Sequence, residues 1–251
     1  MTELDKHTLS KVPAVTLGFW FIKILATTLG ETGGDTLSMT YDLGYLASTA
    51  VFATILVVLV WLQIRAKGFR PLLYWATIIA STTAGTTMAD FADRSLGIGY
   101  TGGSTLLLAC VLISLFIWHR TLGTINVDTV RTPAAETFYW ITITFSQTLG
   151  TALGDWAADT GDLGYMGAAV IFAGLLIGVV ALYYGTKISR VGLFWAAFIL
   201  TRPLGAAVGD FLDKPLDHGG LDFSRPIASA VLGAVILGSI FFLPQRAGKH
   251  P

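Results

Sequence analysis

Four copies of one short motif carry the residues of this sequence best suited to binding an ion. Each copy has a glycine, three further residues, a second glycine or an alanine, and then an aspartate. The copies are Gly30–Asp35, Gly85–Asp90, Gly150–Asp155 and Gly205–Asp210. Small residues at this spacing let two helices approach closely, and a carboxylate directly after such a contact is costly in a membrane. Its fourfold repetition therefore indicates a function, and we interpret it as cation binding.

The candidate metal ligands are all carboxylates. Each motif aspartate ends a predicted helix, where the backbone already presents partial negative charge, so four such ends together require positive charge. We expect a bound divalent cation to supply part of it, and further acids three or four residues later extend the same helix face. Oxygen ligands favour Mn²⁺, Mg²⁺ or Ca²⁺, and nothing indicates an organic cofactor. The candidate ligands are Asp35, Asp90, Asp155, Asp210, Glu31, Asp93, Asp159 and Asp213.

Two cations, Lys23 and Arg202, lie inside predicted membrane spans and are the candidate charge partners there. A charged side chain at that depth needs an acid or a water-filled cavity. We predict that Arg202 pairs with Glu31. Two other cations, Arg94 and Lys214, directly follow acids in the chain, and we interpret both as members of local surface pairs of little energetic value.

Apolar segments of about 20 residues position the motifs and predict an all-α, polytopic membrane protein with eight transmembrane helices. The predicted spans are residues 14–35, 44–64, 72–90, 100–119, 136–156, 164–184, 191–210 and 226–243. The odd-numbered spans contain threonine, glycine and charge, which suits the interior of a bundle. The even-numbered spans are uniformly apolar, which suits an outer layer that faces lipid.

The spans form four repeats of two helices. Each repeat starts with a tryptophan ten residues before the motif, and these are Trp20, Trp75, Trp140 and Trp195. We expect them to form an aromatic belt at the membrane interface, together with Trp61 and Trp118. Because each repeat has two spans, the repeats are parallel. Asp155 follows Asp35 by 120 residues and Asp210 follows Asp90 by the same interval, which predicts two duplicated halves, residues 1–125 and 126–251, in one integral membrane domain.

Composition excludes several classes of protein. The chain is 53% hydrophobic and only 13% charged, against roughly 25% charged residues in soluble domains. It has no basic patch for nucleic acid, and its lone Cys110 excludes a disulfide framework. We therefore expect a membrane protein whose partners are the lipid bilayer and a metal ion, with no nucleic acid. The sequence leaves open whether the chain forms a homo-oligomer.

The distribution of positive charge predicts an orientation. Eleven of the sixteen Lys and Arg residues lie on the side of the membrane that holds both termini. The opposite loops hold three, Arg94, Lys214 and Arg225, together with most of the acids. Because lysine and arginine favour the cytoplasmic side, we expect a cell inner-membrane protein with cytoplasmic N- and C-termini.

The four tandem two-span units, each with its tryptophan, resemble a bacterial multi-pass membrane family that is defined by a repeat of unknown function. The resemblance covers residues 14–243. The stretch from Glu31 to Thr36 is also similar to the Glu-x-Gly-Asp motif of a Mn²⁺/Ca²⁺ transporter family. It has one extra residue, and Glu31 occurs in the first repeat alone.

We therefore expect a transporter or channel for a hard divalent cation, Mn²⁺ first, with Mg²⁺ or Ca²⁺ as alternatives, and no enzyme activity. One alternative is a non-transporting membrane sensor or scaffold with a structural metal. Another is an intramembrane aspartyl protease, whose Gly-x-Gly-Asp motif resembles the copies here. Thr32, Ala152 and Ala207 replace the first glycine of that motif, which argues against a protease.

Overall fold

The protein is all-α apart from one short pair of strands. A computed structural model describes residues 9–160 and 163–249, which contain eight α-helices. The helices are α1 (Leu17–Asp35), α2 (Tyr45–Arg65), α3 (Pro71–Asp90), α4 (Tyr100–Leu122), α5 (Pro133–Asp155), α6 (Gly164–Gly185), α7 (Arg190–Asp213) and α8 (Arg225–Phe242). The strands β1 (Leu9–Pro13) and β2 (Ala247–Lys249) pair antiparallel. The predicted helices are thus present, with ends displaced by a few residues.

Five of the helices are long and apolar enough to cross a membrane, which makes this a membrane protein. They are α2, α4, α6, α7 and α8. The other three helices in the described residues, α1, α3 and α5, contain 19, 20 and 23 residues but carry threonine, glycine and acid side chains. Most of their polar residues are buried inside the protein, so their composition reflects contact with protein and not with lipid.

The odd-numbered helices form a closed ring. α1 packs on α3, α3 on α5, α5 on α7, and α7 returns to α1. Each even-numbered helix then packs on the outside of the next repeat: α2 on α3, α4 on α5, α6 on α7, and α8 on α1. The predicted inner and outer layers are therefore present. Because each repeat is covered by a helix of its neighbour, a single repeat has no complete core of its own.

The first glycine of every motif allows the close contacts that hold the ring together. A Cβ atom added at any of these glycines would collide with the next helix, at the residue three positions before that helix's own motif glycine. The four contacts are Gly30 with Thr82, Gly85 with Gln147 and the adjoining Thr148 nitrogen, Gly150 with Arg202, and Gly205 with Thr27. Each repeat thus contacts the next through its motif glycine, and the fourth repeat contacts the first.

The ring has an aromatic end and a carboxylate end. At the aromatic end the hydroxyls of Tyr74 and Tyr139 are 2.6 Å apart, and Trp195 packs edge-on against Tyr139. The predicted tryptophan belt is wrong for Trp75, Trp118, Trp140 and Trp195, which are buried in the core. All four rings belong to one buried hydrophobic cluster, a position that a sequence pattern does not distinguish from the membrane interface.

Strands β1 and β2 cover the aromatic end. Lys11 Nζ lies 2.5 Å from Glu136 Oε1 and also donates to two carbonyls at the end of α2. The Ser10 hydroxyl donates to the carbonyl of Val127, in the connection between the halves. The Trp75 indole donates to Gln245 near β2. The two ends of the described chain therefore connect α2, α3, α5 and the link between the halves at the aromatic end of the ring.

Replacing Gly205 with alanine should destabilise the ring by about 1–3 kcal/mol, as overpacking does. The new Cβ would lie 2.2 Å from Thr27 Oγ1 and 2.8 Å from the Thr27 carbonyl carbon. Gly174→Ala on α6 is the matched control, because a Cβ there meets open space. Thermal unfolding of the two purified variants checks this, and an equal loss of stability at both positions would contradict the assignment of layers.

Candidate cation site

All four motif aspartates are buried at the carboxylate end of the ring, each between 1% and 4% exposed. In three repeats the α-helix changes to a π-helical turn directly after the aspartate, at Thr36–Thr40, Phe91–Ser95 and Trp156–Thr160. The fourth repeat differs, because α7 continues as an α-helix to Asp213. Short π-helical segments are uncommon and occur frequently at functional sites.

Residues spaced four apart place three layers of side chains along the inner face of the ring. The layer nearest the aromatic end contains Thr27, Thr82, Gln147 and Arg202. The middle layer contains Glu31, Thr86, Thr151 and Ala206, and the last layer contains the four motif aspartates. Every residue of the three layers is buried, so the interior of the ring is polar over three successive turns.

Asp35 and Asp210 form the first pair of motif aspartates. The ammonium group of Lys214 lies between them: it donates to Asp35 Oδ2 and is 2.9 Å from Asp210 Oδ1. It is also 3.8 Å from Asp213 Oδ1. Arg225 Nε adds a second positive charge, 3.8 Å from Asp35 Oδ2 and 3.5 Å from Asp213 Oδ2.

Asp90 and Asp155 form the second pair. Arg94 Nε lies 3.0 Å from Asp90 Oδ1, and Arg94 Nη2 lies 3.6 Å from Asp155 Oδ2. Arg94 follows Asp90 by four residues, as Lys214 follows Asp210. The interpretation of Arg94 and Lys214 as local surface pairs is therefore wrong, because each cation bridges aspartates of two repeats.

Glu31 adds a third carboxylate to the first pair only. Carboxylate oxygens of Glu31, Asp35 and Asp210 all lie within 4.8 Å of one another, and this is the one such group of three acids in the described part of the chain. We call these three residues the carboxylate trio. The equivalent of Glu31 in the other half is Thr151, 120 residues later, so the duplicated halves differ at this point.

Arg202 lies at the centre of the ring and joins all four inner helices. Its Nη2 is 2.9 Å from Glu31 Oε2 and 2.6 Å from Thr86 Oγ1, and it also donates to Thr151 Oγ1. The predicted pair of Arg202 with Glu31 is thus present. Lys23 is fully buried as well, but its described contacts are the Thr201 hydroxyl at 3.3 Å and the face of the Phe198 ring at 4.2 Å, with no carboxylate.

The three acids predicted to extend the motif face have different surroundings. Asp213 stays beside Lys214 because α7 continues through it. Asp93 points elsewhere: a Cβ at Gly103 of α4 would lie 3.0 Å from its Oδ1. Burial raises the pKa of Asp93, and the neighbouring Arg94 opposes that shift.

Asp159 is exposed and accepts a hydrogen bond of 3.0 Å from the Tyr100 hydroxyl. Asp93 and Asp159 both lie in π-helical turns. A π-helical turn has more residues per turn than an α-helix, which rotates the next acid away from the face of the motif. An acid three residues after the motif aspartate therefore stays at the site only in the fourth repeat, which remains α-helical, although Arg94, four residues after Asp90, still reaches that aspartate.

The repeats seen in the ring also match a known family. The sequence matches the family called Repeat of Unknown Function (DUF347) four times, over residues 18–69, 73–124, 138–189 and 193–244. The chain belongs to this family. Each DUF347 repeat contains one inner and one outer helix, as the sequence resemblance predicts. The comparison finds no match among curated proteins or solved structures.

The sequence signal that could have revealed the bridging cations is their spacing. In the second and fourth DUF347 repeats a cation stands four residues after the motif aspartate, and in the first and third Met39 and Asp159 stand there. An acid and a cation four apart lie on one helix face. That spacing predicts the ion pair within one repeat. It does not predict which aspartate of another repeat the same cation contacts.

Proposed function

We propose that all eight helices cross the membrane, that the four repeats run parallel, and that both termini are cytoplasmic. The inner helices α1, α3 and α5 contain 19 to 23 residues, within the range of 18 to 24 residues of the apolar helices, and the outer helices shield them from lipid. The meeting of all tryptophan-bearing ends on one side of the ring, and of all motif aspartates on the other, supports parallel repeats. The excess of Lys and Arg beside the aromatic end supports its cytoplasmic location.

Topology reporters check this arrangement. A reporter that is active only in the cytoplasm should be active when it is fused after Gly68 or after Gly248, because both positions follow even-numbered helices. A reporter fused after Gly97, between α3 and α4, should report the external side. A cytoplasmic signal at residue 97 would place the carboxylate end of the ring inside the cell and contradict the proposed orientation.

We further propose that the protein is a membrane transporter for a hard divalent metal cation, with Mn²⁺ favoured over Mg²⁺ and Ca²⁺. The observation that carries this proposal is the carboxylate trio of Glu31, Asp35 and Asp210, whose oxygens converge within 4.8 Å at a buried site. Three carboxylate ligands supply the oxygen donors that these ions prefer. Glu31 and Asp35 are also the residues that resemble the motif of a Mn²⁺/Ca²⁺ transporter family.

We infer that the ion moves along the polar interior of the ring, and that Arg202, which lies across the centre of this interior, moves aside during transport. Threonine hydroxyls and Gln147 continue from the trio toward the aromatic end, which is closed by Tyr74, Tyr139 and their neighbours. Transport requires that this aromatic end open, so the arrangement described here is the one closed to the cytoplasm. Alternating access by movement of one half of a repeat protein against the other is the general mechanism.

Equilibrium binding of Mn²⁺ to the purified protein tests the site. Glu31→Gln should weaken binding at least about tenfold, because it removes one of three charged ligands. Asp159→Asn, which removes an exposed acid outside the trio, should leave the dissociation constant unchanged. Absence of Mn²⁺ binding by the wild-type protein, or equal affinity in the Glu31→Gln variant, would reject the site.

A second candidate function is a non-transporting membrane sensor or scaffold. One observation favours it: every motif aspartate already has a cation from its own chain, Lys214 for one pair and Arg94 for the other. Such a protein needs no transported ion for charge balance. Stabilisation by Mn²⁺ without any Mn²⁺ flux across a membrane would support this function over transport.

A further inference from the structure

The ammonium group of Lys214 occupies the position that a bound cation would take at the carboxylate trio. It contacts two of the three acids, Asp35 and Asp210, and the side chain is nearly fully buried. A lysine ammonium is a compact charge at the end of a flexible side chain, so it can move from one carboxylate to a neighbouring one. A divalent ion and this ammonium cannot bind the same oxygens, because like charges repel strongly at such distances.

A second carboxylate lies within reach of the displaced ammonium. Asp213 Oδ1 is 3.8 Å from Lys214 Nζ, and Asp213 Oδ2 is 3.5 Å from Arg225 Nε. Asp213 is buried, and neither of its carboxylate oxygens has a hydrogen-bond partner in the described residues. Asp35 Oδ1 also lacks a hydrogen-bond partner there. The site thus holds more acceptor oxygens than its own cations satisfy.

We propose that Lys214 is a tethered competitor of the transported cation. It binds Asp35 and Asp210 when the trio is empty, and it moves to Asp213 when a divalent cation enters. This inference rests on the proposed function and deepens it, because it names the residue that sets the affinity of the site. It makes release of the ion an exchange in which Lys214 returns to the trio.

The second pair of motif aspartates, Asp90 and Asp155, lacks this arrangement and supplies the matched control. Arg94 bridges Asp90 and Asp155 as Lys214 bridges Asp210 and Asp35. However, Thr151 stands where the first pair has the third carboxylate, Glu31. Asp93 is the equivalent of Asp213, since each lies three residues after its motif aspartate, but Asp93 faces α4. A guanidinium group also holds its pair of carboxylates in a fixed planar geometry. Arg94 therefore lacks both the third carboxylate and the alternative acceptor that Lys214 has beside it.

Mn²⁺ titrations of the full-length protein test the inference with four variants. Lys214→Gln should bind Mn²⁺ about tenfold more tightly than the wild type, whereas Arg94→Gln should change the dissociation constant less than about threefold. Asp213→Asn should bind about tenfold more weakly, because the displaced ammonium loses its acceptor. In the Lys214→Gln/Asp213→Asn double variant, the Asp213 change should have no further effect.

The double variant separates displacement from simple charge repulsion. If Lys214 only lowered the affinity through its charge, Asp213→Asn would weaken Mn²⁺ binding equally with and without Lys214, and that result would overturn the inference. Unchanged or weaker binding in Lys214→Gln would overturn it as well. Should Lys214→Gln fail to fold, a dissociation constant unchanged in Asp213→Asn alone would overturn it. Absence of Mn²⁺ binding in the wild type and in every variant would instead reject the proposed function itself.

Discussion

Replacing Arg202 with methionine should destabilise the protein by about 3–5 kcal/mol, the loss expected when one partner of a buried ion pair is removed. Arg202 is fully buried and joins Glu31, Thr86 and Thr151 through one Nη2 atom. Methionine fills part of the volume but leaves the Glu31 carboxylate without its arginine partner inside the ring. Thermal unfolding in detergent, with size-exclusion chromatography to monitor aggregation, measures the loss.

Two further variants show whether charge or packing causes that loss. The Glu31→Gln/Arg202→Met double variant should recover most of the stability, because no unpaired charge then remains. Lys23→Met should have a small effect or stabilise the protein, because the described contacts of Lys23 include no carboxylate. Equal destabilisation by Arg202→Met and Lys23→Met would contradict the assigned role of the Arg202–Glu31 pair.

The sequence predicts those parts of the fold that depend on local pattern. The two-helix repeats, the glycine contacts and the division into inner and outer helices all follow from spacing and from where charge occurs. The Arg202–Glu31 pair was predictable because both residues lie deep in polar helices, where each needs a partner. The packing of each outer helix on the next repeat was not predictable, because an apolar surface does not specify which helix covers it.

The candidate site was predictable only in part, for reasons of geometry. The motif identifies the four aspartates, but the bridges through Lys214 and Arg94 join residues of different repeats. The π-helical turns that direct Asp93 and Asp159 away from the site have no sequence signal in the motif itself. The two pairs of aspartates differ in several neighbours, and the substitution of Glu31 by Thr151 in the other half is the difference that gives only one pair a third carboxylate.

The two pairs should respond differently to loss of charge. Asp35→Asn should weaken Mn²⁺ binding about 100-fold, because it removes the charge of one of the three carboxylates of the trio. Asp155→Asn is the matched control, since Asp155 is the equivalent residue 120 positions later and is bridged to Asp90 by Arg94. It should weaken binding less than about threefold. A similar loss at both positions would indicate one shared site of four aspartates.

Mn²⁺ flux into liposomes that contain the purified protein tests the central claim most directly. The wild-type protein should give saturable Mn²⁺ uptake above that of empty liposomes. Asp35→Asn and Asp210→Asn should abolish the uptake, while Asp155→Asn retains most of it. Uptake no greater than in empty liposomes, or uptake that survives intact in Asp35→Asn and Asp210→Asn, would contradict cation transport through the carboxylate trio.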